Sequence, residues 1–409
     1  MKNNKISLRL KIVAVAAIAL AGVFSSCNKA LPDAEPINPP VLNPEASQSI
    51  GSKIESDANY SIYLAAVKRV PGLLDRLKDK SNTFTAFVPD NAGFQASGIS
   101  SAAVINAMPL ASVIGMVQYS LLPGQQHLSG EFSAFPNTQF PTSLNIGTLP
   151  GTPVPLQMSI FPSKLSNGFW VNNIPVKSAD EKYTNGTIHK MAALVAPPSK
   201  LLSDEIYSNP DLLYFKNAIE YADAGATGTA SLNYLMGYAV MNMTVLVPNN
   251  AAFQELIYGL AYGYYIGLGL TPAQADGYAS ALAADPNVFK IPGFSALAAP
   301  ATVKGILAYH FLASEATGFQ PMQRIFSNNF ATTPSFYQTL VNGSVPEHPG
   351  VKVTTTYSSG MVSAVSFTGM GTFPPGGAPF SGPAANATSK DKNCVNGVYY
   401  VIDKILLPQ

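Results

Sequence analysis

The first apolar run of the chain, residues 12–24, is uncharged and directly follows four basic residues, Lys2, Lys5, Arg9 and Lys11. As a helix it would rise about 20 Å, short of the ~30 Å hydrocarbon core, so the pattern predicts the apolar region of a signal peptide and not a permanent span. Polar character then takes over. Residues 28–49 carry five prolines in 22 positions, which predicts an extended, semi-rigid tether. Further on, Thr85-Ala86-Phe87-Val88 is a short strand-like run stopped by Pro89, and Asp90 or Asn91 offers a side-chain oxygen to cap a following helix. Around residue 255 the period changes: Phe253, Leu256, Ile257 and Leu260 fall at i, i+3, i+4 and i+7, one face of a helix. Tyr258, Tyr262 and Tyr265 form a second stripe on that helix. Near the end, Asn396-Gly397 is a hairpin turn signal. After it Val398, Tyr400 and Ile402 alternate with Tyr399, Val401 and Asp403, the period of a strand.

These patterns occur twice. Thr85-Ala86-Phe87-Val88-Pro89-Asp90-Asn91-Ala92-Gly93-Phe94 aligns with Thr244-Val245-Leu246-Val247-Pro248-Asn249-Asn250-Ala251-Ala252-Phe253. Tyr119-Ser120 aligns with Tyr309-His310, and Asn185-Gly186-Thr187-Ile188-His189 aligns with Asn396-Gly397-Val398-Tyr399-Tyr400. Three blocks in the same order predict tandem domains, at residues 50–203 and 204–409. Each reads as a strand, capped helices and a run of strands closed by a hairpin. The second copy is longer, with extra chain expected near residues 258–300 and 373–393, and inserts on a fixed scaffold are where specificity commonly resides.

The blocks resemble the fasciclin domain family. Its signature is a Thr-x-Phe-x-Pro-x-(Asn/Asp)-x-Ala-Phe segment, a Tyr-His pair, and a closing Asn-Gly-x-Ile-His-x-Ile-Asp-x-x-Leu-x-Pro strand. The resemblance implies an α+β fold of two tandem fasciclin-like domains, each a β-sandwich wedge with packed helices. It also implies adhesion or extracellular binding, with no catalytic residues attached to the fold. Two departures stand out: Ser120 replaces the histidine of the first Tyr-His pair, and Met191-Ala192 replaces the first closing Ile-Asp.

Composition narrows the class. The 409 residues are 47% hydrophobic and 11% charged, which excludes a disordered charged chain. The net charge of +1 conceals a split, because the first 27 residues hold four basic side chains and leave 20 against 23 acidic ones. That balance offers no footprint for nucleic acid. Phe24-Ser25-Ser26-Cys27 resembles a bacterial lipobox, with Cys27 as the lipidated residue and Asn28 behind it favouring the outer membrane. Cys394 then stands without a partner cysteine.

No Gly-x-Ser-x-Gly elbow, His-Glu-x-x-His, Cys-x-x-Cys, Walker loop or EF-hand loop occurs, and the four histidines have no metal-ligand spacing. No catalytic residue, metal or cofactor is therefore expected. The candidate binding residues are Tyr258, Tyr262, Tyr265, Tyr309 and His310. The expected function is a non-catalytic outer-membrane lipoprotein for adhesion or extracellular ligand binding. Its partners would be the membrane, through the lipid anchor, and an extracellular protein or polysaccharide. The alternative is a glycan- or nutrient-binding accessory of an outer-membrane uptake system, in complex with its receptor.

Overall fold

The computed structural model describes residues 42–134, 136, 138–149, 151–313 and 323–409. The expected signal segment, Cys27 and the first part of the tether lie outside the described residues. From residue 42 onward the chain belongs to one compact unit.

The first half runs α1 (Ile50–Ser56), α2 (Ser61–Arg69), α3 (Leu73–Lys78), β1 (Phe84–Pro89), α4 (Asn91–Ala96), α5 (Ala102–Ala107) and α6 (Leu110–Tyr119). Strands β2 (Leu121–Pro123), β3 (Phe140–Thr148), β4 (Pro155–Ile160), β5 (Pro162–Leu165), β6 (Gly168–Val171), β7 (Ile174–Tyr183) and β8 (Gly186–Met191) follow. The second half runs α7 (Leu202–Tyr207), α8 (Leu213–Ala222), α9 (Leu232–Gly237), β9 (Met243–Pro248), α10 (Asn250–Gly267), α11 (Pro272–Ala284) and α12 (Pro300–Ala308). It closes with β10 (Phe311–Leu312), β11 (Ser335–Tyr337), β12 (Val351–Ser358), β13 (Met361–Thr368), β14 (Ala385–Cys394) and β15 (Gly397–Ile402).

The two main sheets repeat one topology. Their strand orders are β2-β1-β8-β7-β6-β5 and β10-β9-β15-β14-β13-β12-β11. In each, the Thr-x-Phe/Leu-x-Pro strand pairs in parallel with the strand after the Asn-Gly turn: Thr85 faces Thr187, and Thr244 faces Val398. Both of these strands are buried at every position, which is why they read as near-continuous apolar runs. Alternate side chains serve two layers. Phe84, Ala86 and Val88 join the helix-side core with Tyr63 and Val67, whereas Phe87 joins Phe132, Met158 and Phe169 on the other face. Val245 and Val247 likewise meet Phe215 and Phe253, while Leu246 meets Tyr309, Phe330 and Tyr400.

Three boundaries differ from the sequence expectation. Residues 42–49 of the expected tether are docked on the first domain: Asn43 Nδ2 donates to Tyr183 O at 2.6 Å, and Thr184 N donates to Gln48 O. The expected junction between residues 203 and 204 falls inside α7, whose Leu202 N is held by Asn396 of the second repeat, so the second domain begins upstream of that helix. Residues 385–393 belong to β14, the counterpart of β7, so the extra chain of the second insertion ends before them.

Candidate functional site

The Tyr309-His310 pair sits where α12 hands over to β10, and both residues are fully buried. His310 Nδ1 donates to Ile306 O at 2.8 Å, and Nε2 accepts from Leu406 N at 3.0 Å. One ring nitrogen donates and the other accepts, so the imidazole is neutral, and burial pushes its pKa down to about 4. Tyr309 OH donates to Gly350 O and accepts from Met370 N at 3.0 Å. The pair therefore staples a helix end to the β12 approach and to the closing segment, and neither side chain has surface to offer a ligand.

The expected tyrosine face of α10 is partly covered, because α11 folds back on it. Tyr258 OH donates to Asp276 Oδ1 at 2.8 Å, Tyr258 stacks on Tyr262 at 5.9 Å, and Tyr265 lies 5.5 Å from Tyr278. Thr271 and Gln274 form the capping box that starts α11 and sets the sharp return. What this hairpin exposes is a different set near its tip: Leu268 at 59%, Tyr278 at 58%, Tyr264 at 40% and Ile266 at 39%. Tyr258, Tyr262 and Tyr265 stay half-buried under the α11 contact, and helical spacing identifies such a face without saying which neighbour packs on it. The usable signal was the uncharged run at residues 256–275.

Other reactive side chains are held in fixed structural roles. His189 Nε2 donates to His127 O at 3.0 Å, its Nδ1 accepts from Asp180 N at 3.2 Å, and its ring stacks on Phe87. His348 Nε2 donates to Pro408 O at 2.8 Å and Nδ1 accepts from Gly350 N at 2.9 Å. The Cys394 thiol is buried, which pushes its pKa up to about 12 and keeps it unreactive. Among the described residues, no group of three or more His, Cys, Asp or Glu side chains is placed to hold a metal, and no helix is long and apolar enough to cross a membrane.

The two domains meet through shared side chains. Phe161 of the first packs within the second domain's Tyr309–Tyr400 cluster, and Asn329 Nδ2 donates to Ser163 Oγ at 3.1 Å. Arg324 lies 4.6 Å over the Phe161 ring and donates to Asn242 Oδ1, Asn393 Oδ1, Cys394 O and Val395 O at 2.7–3.0 Å. Beside this junction a cavity of about 190 Å³ is walled by residues of both domains, Trp170 and Asn173 from one and Asn328, Lys390 and Asp391 from the other.

Residues 58–197 match the family model described as the fasciclin domain. Among solved structures, the chain is similar to a FAS1 domain pair from the insect cell adhesion molecule fasciclin I. The identity is 14% and the TM-score 0.29, over 86% of this chain and 98% of that one. No curated protein matches the sequence. The duplication itself rests on the repeated strand order and on paired hydrogen bonds. Thr85 and Thr244 donate to Gln125 O and Gln323 O, and Asn185 and Asn396 each receive the N–H that opens the first helix of their own domain. Residues 58–197 thus match a fasciclin domain, and the second half of the chain repeats the strand order and the paired hydrogen bonds of the first.

Proposed function

We propose that this protein is a non-catalytic adhesion or binding protein of the outer membrane, held there by lipid on Cys27, which meets an extracellular protein through the exposed tip of the α10–α11 hairpin. Fasciclin domains are adhesion and binding modules. The hairpin carries the reading. Residues 256–275 contain no charge, and their large exposed side chains are Tyr264, Ile266 and Leu268, uncharged and partly aromatic, as at interface cores where charge is depleted. Rigid tyrosine rings also supply contact area at little cost in side-chain entropy. Two or more acyl chains on Cys27 would hold the body durably, each buried CH₂ contributing roughly 0.8 kcal/mol. A second reading, a glycan- or nutrient-binding accessory of an uptake system, is favoured by the polar cavity between the domains.

The test compares cells carrying the full chain with cells carrying the Tyr264→Ser, Leu268→Ser, Tyr278→Ser variant, at equal surface abundance. Adhesion to collagen-coated surfaces and to other cells carrying the protein is expected to fall by about tenfold, with the melting temperature unchanged. Adhesion unaffected by the triple change would refute the hairpin reading. In the same cells Cys27→Ala is expected to move the protein from the membrane to the soluble fraction, and membrane retention would refute the anchor.

A further inference from the structure

We propose that the cavity between the two domains is a binding site for a single neutral sugar unit, recognised by the Trp170 indole N–H and the Asn328 amide. This deepens the glycan-binding reading and rests on it for its setting, while the site is separate from the hairpin.

The cavity holds about 190 Å³, room for on the order of six waters or one sugar ring. Trp170 and Asn328 on its wall are each only 4% exposed. Among the described residues, neither Trp170 Nε1 nor either end of the Asn328 amide has a hydrogen-bond partner. Buried polar atoms left in that condition destabilise the fold, so the residues are either serving something other than folding or are a defect.

The duplication separates these alternatives. In the first domain Ser129 N and Oγ both donate to Asp180, at 2.7 and 2.6 Å. In the second, Ser327 N and Oγ both donate to Asp391, each at 2.6 Å. Next along the chain, Leu128 N donates to Glu131 and Phe326 N donates to Asn329, so the two turns match residue for residue. The position inside the turn is Gly130 in one domain and Asn328 in the other. The turn therefore forms without the amide, and Asn328 is an addition to it.

The surrounding chemistry selects the ligand. A β-bulge in β14 places Asp391 at φ +56° and brings Lys390 and Asp391 side by side onto the cavity wall. Their opposite charges offset one another, and Lys390 Nζ already donates to Val362 O. An anion would meet the Asp391 carboxylate, and an apolar ligand would leave the amide and indole unpaired. The three polar atoms are closed to solvent while the site is empty, so binding turns both side chains onto the ligand; hydroxyl groups both donate and accept and then answer the indole N–H, the amide N–H and the amide oxygen together. Met361 and Val362 offer apolar surface to the C–H face of a ring.

Trp170 is the only tryptophan of the chain, so its emission reports on this cavity. The full chain is titrated with glucose, galactose, mannose and N-acetylglucosamine, and with oligosaccharides ending in each, followed by emission and by calorimetry. At least one probe is expected to bind saturably with a Kd of about 1 mM or tighter. Saturation by free sugars assigns a small-molecule ligand, and saturation by oligosaccharides alone assigns a glycan end. Asn328→Gly, which copies the first domain's turn, is expected to weaken binding about tenfold or more without lowering the melting temperature. Asn328→Leu is expected to weaken it similarly, and the triple hairpin variant is expected to bind as the parent does. No saturable response by either method, or a response that both Asn328 variants leave intact, would overturn the proposal whatever the adhesion assays report.

Discussion

Ser120 and His310 occupy one position of the repeat, and the difference between them is compensated a helix away. In the first domain Tyr63 OH lies 2.7 Å from Ser120 Oγ, which donates to Val117 O. Asn91 holds Ile62 N and Asn250 holds Tyr214 N, so Tyr63 corresponds to Phe215. A buried phenol and a small hydroxyl in one copy thus stand where a phenyl ring and an imidazole stand in the other. His189 and Tyr400 make a similar exchange: each donates to the carbonyl at the same point of its repeat, His127 O and Ile325 O. His310 makes stability depend on pH. Its unfolded pKa is 6.5 and its folded pKa about 4, so its contribution is fully present above pH 6.5. As pH falls from 6.5 to about 4 the unfolded chain takes up a proton that the native one refuses, and on the order of 3 kcal/mol is lost. Denaturant midpoints at pH 7.5 and 4.5 should therefore separate more in the parent than in His310→Asn; equal separations would contradict this account. Sequence inspection located the pair and its missing histidine. It could not show that Tyr63 fills the gap, because that partner lies 57 positions away.

At the scale of elements, the Asn-Gly turn does more than reverse the chain. Asn185 accepts from Ile50 N at 2.9 Å and donates to Leu77 O at 2.9 Å and Asp79 O at 3.1 Å, gathering two helices onto the central strand pair. Asn396 does the same with Leu202 N, Met236 O and Tyr238 O. The glycine is required by close approach: a Cβ on Gly186 would lie 1.8 Å from Phe84 O, and one on Gly397 2.5 Å from Met243 O. Asn396→Ala leaves one buried N–H and two carbonyls without this partner, so it should cost about 3 kcal/mol or more of unfolding free energy. A loss under about 1 kcal/mol would show that water replaces the amide. The capping pairs divide their labour in a way the motif alone left open. Asp90 and Asn249 cap their helices through Gly93 N and Ala252 N, while Asn91 and Asn250 reach back to the preceding helical segment.

For the whole molecule, the decisive fact is that neither half completes its own core. Phe161 is buried among second-domain side chains, Val395 packs against the first domain's Phe87 cluster, and Arg324 is ringed by carbonyl and amide oxygens under the Phe161 ring. Removing one partner from so buried a cation is strongly destabilising. Calorimetry of the full chain should therefore show a single cooperative transition whose calorimetric and van't Hoff enthalpies agree. Two resolved transitions would mean that the domains melt independently and that the junction contributes little.

What the amino-acid order determined by itself was everything encoded within short reach along the chain: the duplicated strand-to-helix and hairpin blocks, the family they resemble, and the mixed α+β character. Periodicity and turn chemistry are local, so they survive without knowledge of the partner surface. Tertiary structure alone decided which tyrosines of the hairpin are most exposed, that His310 is walled in, and that Asn328 lines a cavity together with Trp170. Burial and hydrogen-bond completion are properties of the surface that arrives from elsewhere in the chain, and Trp170 and Asn328 stand 158 positions apart in the sequence before the fold brings both to this cavity.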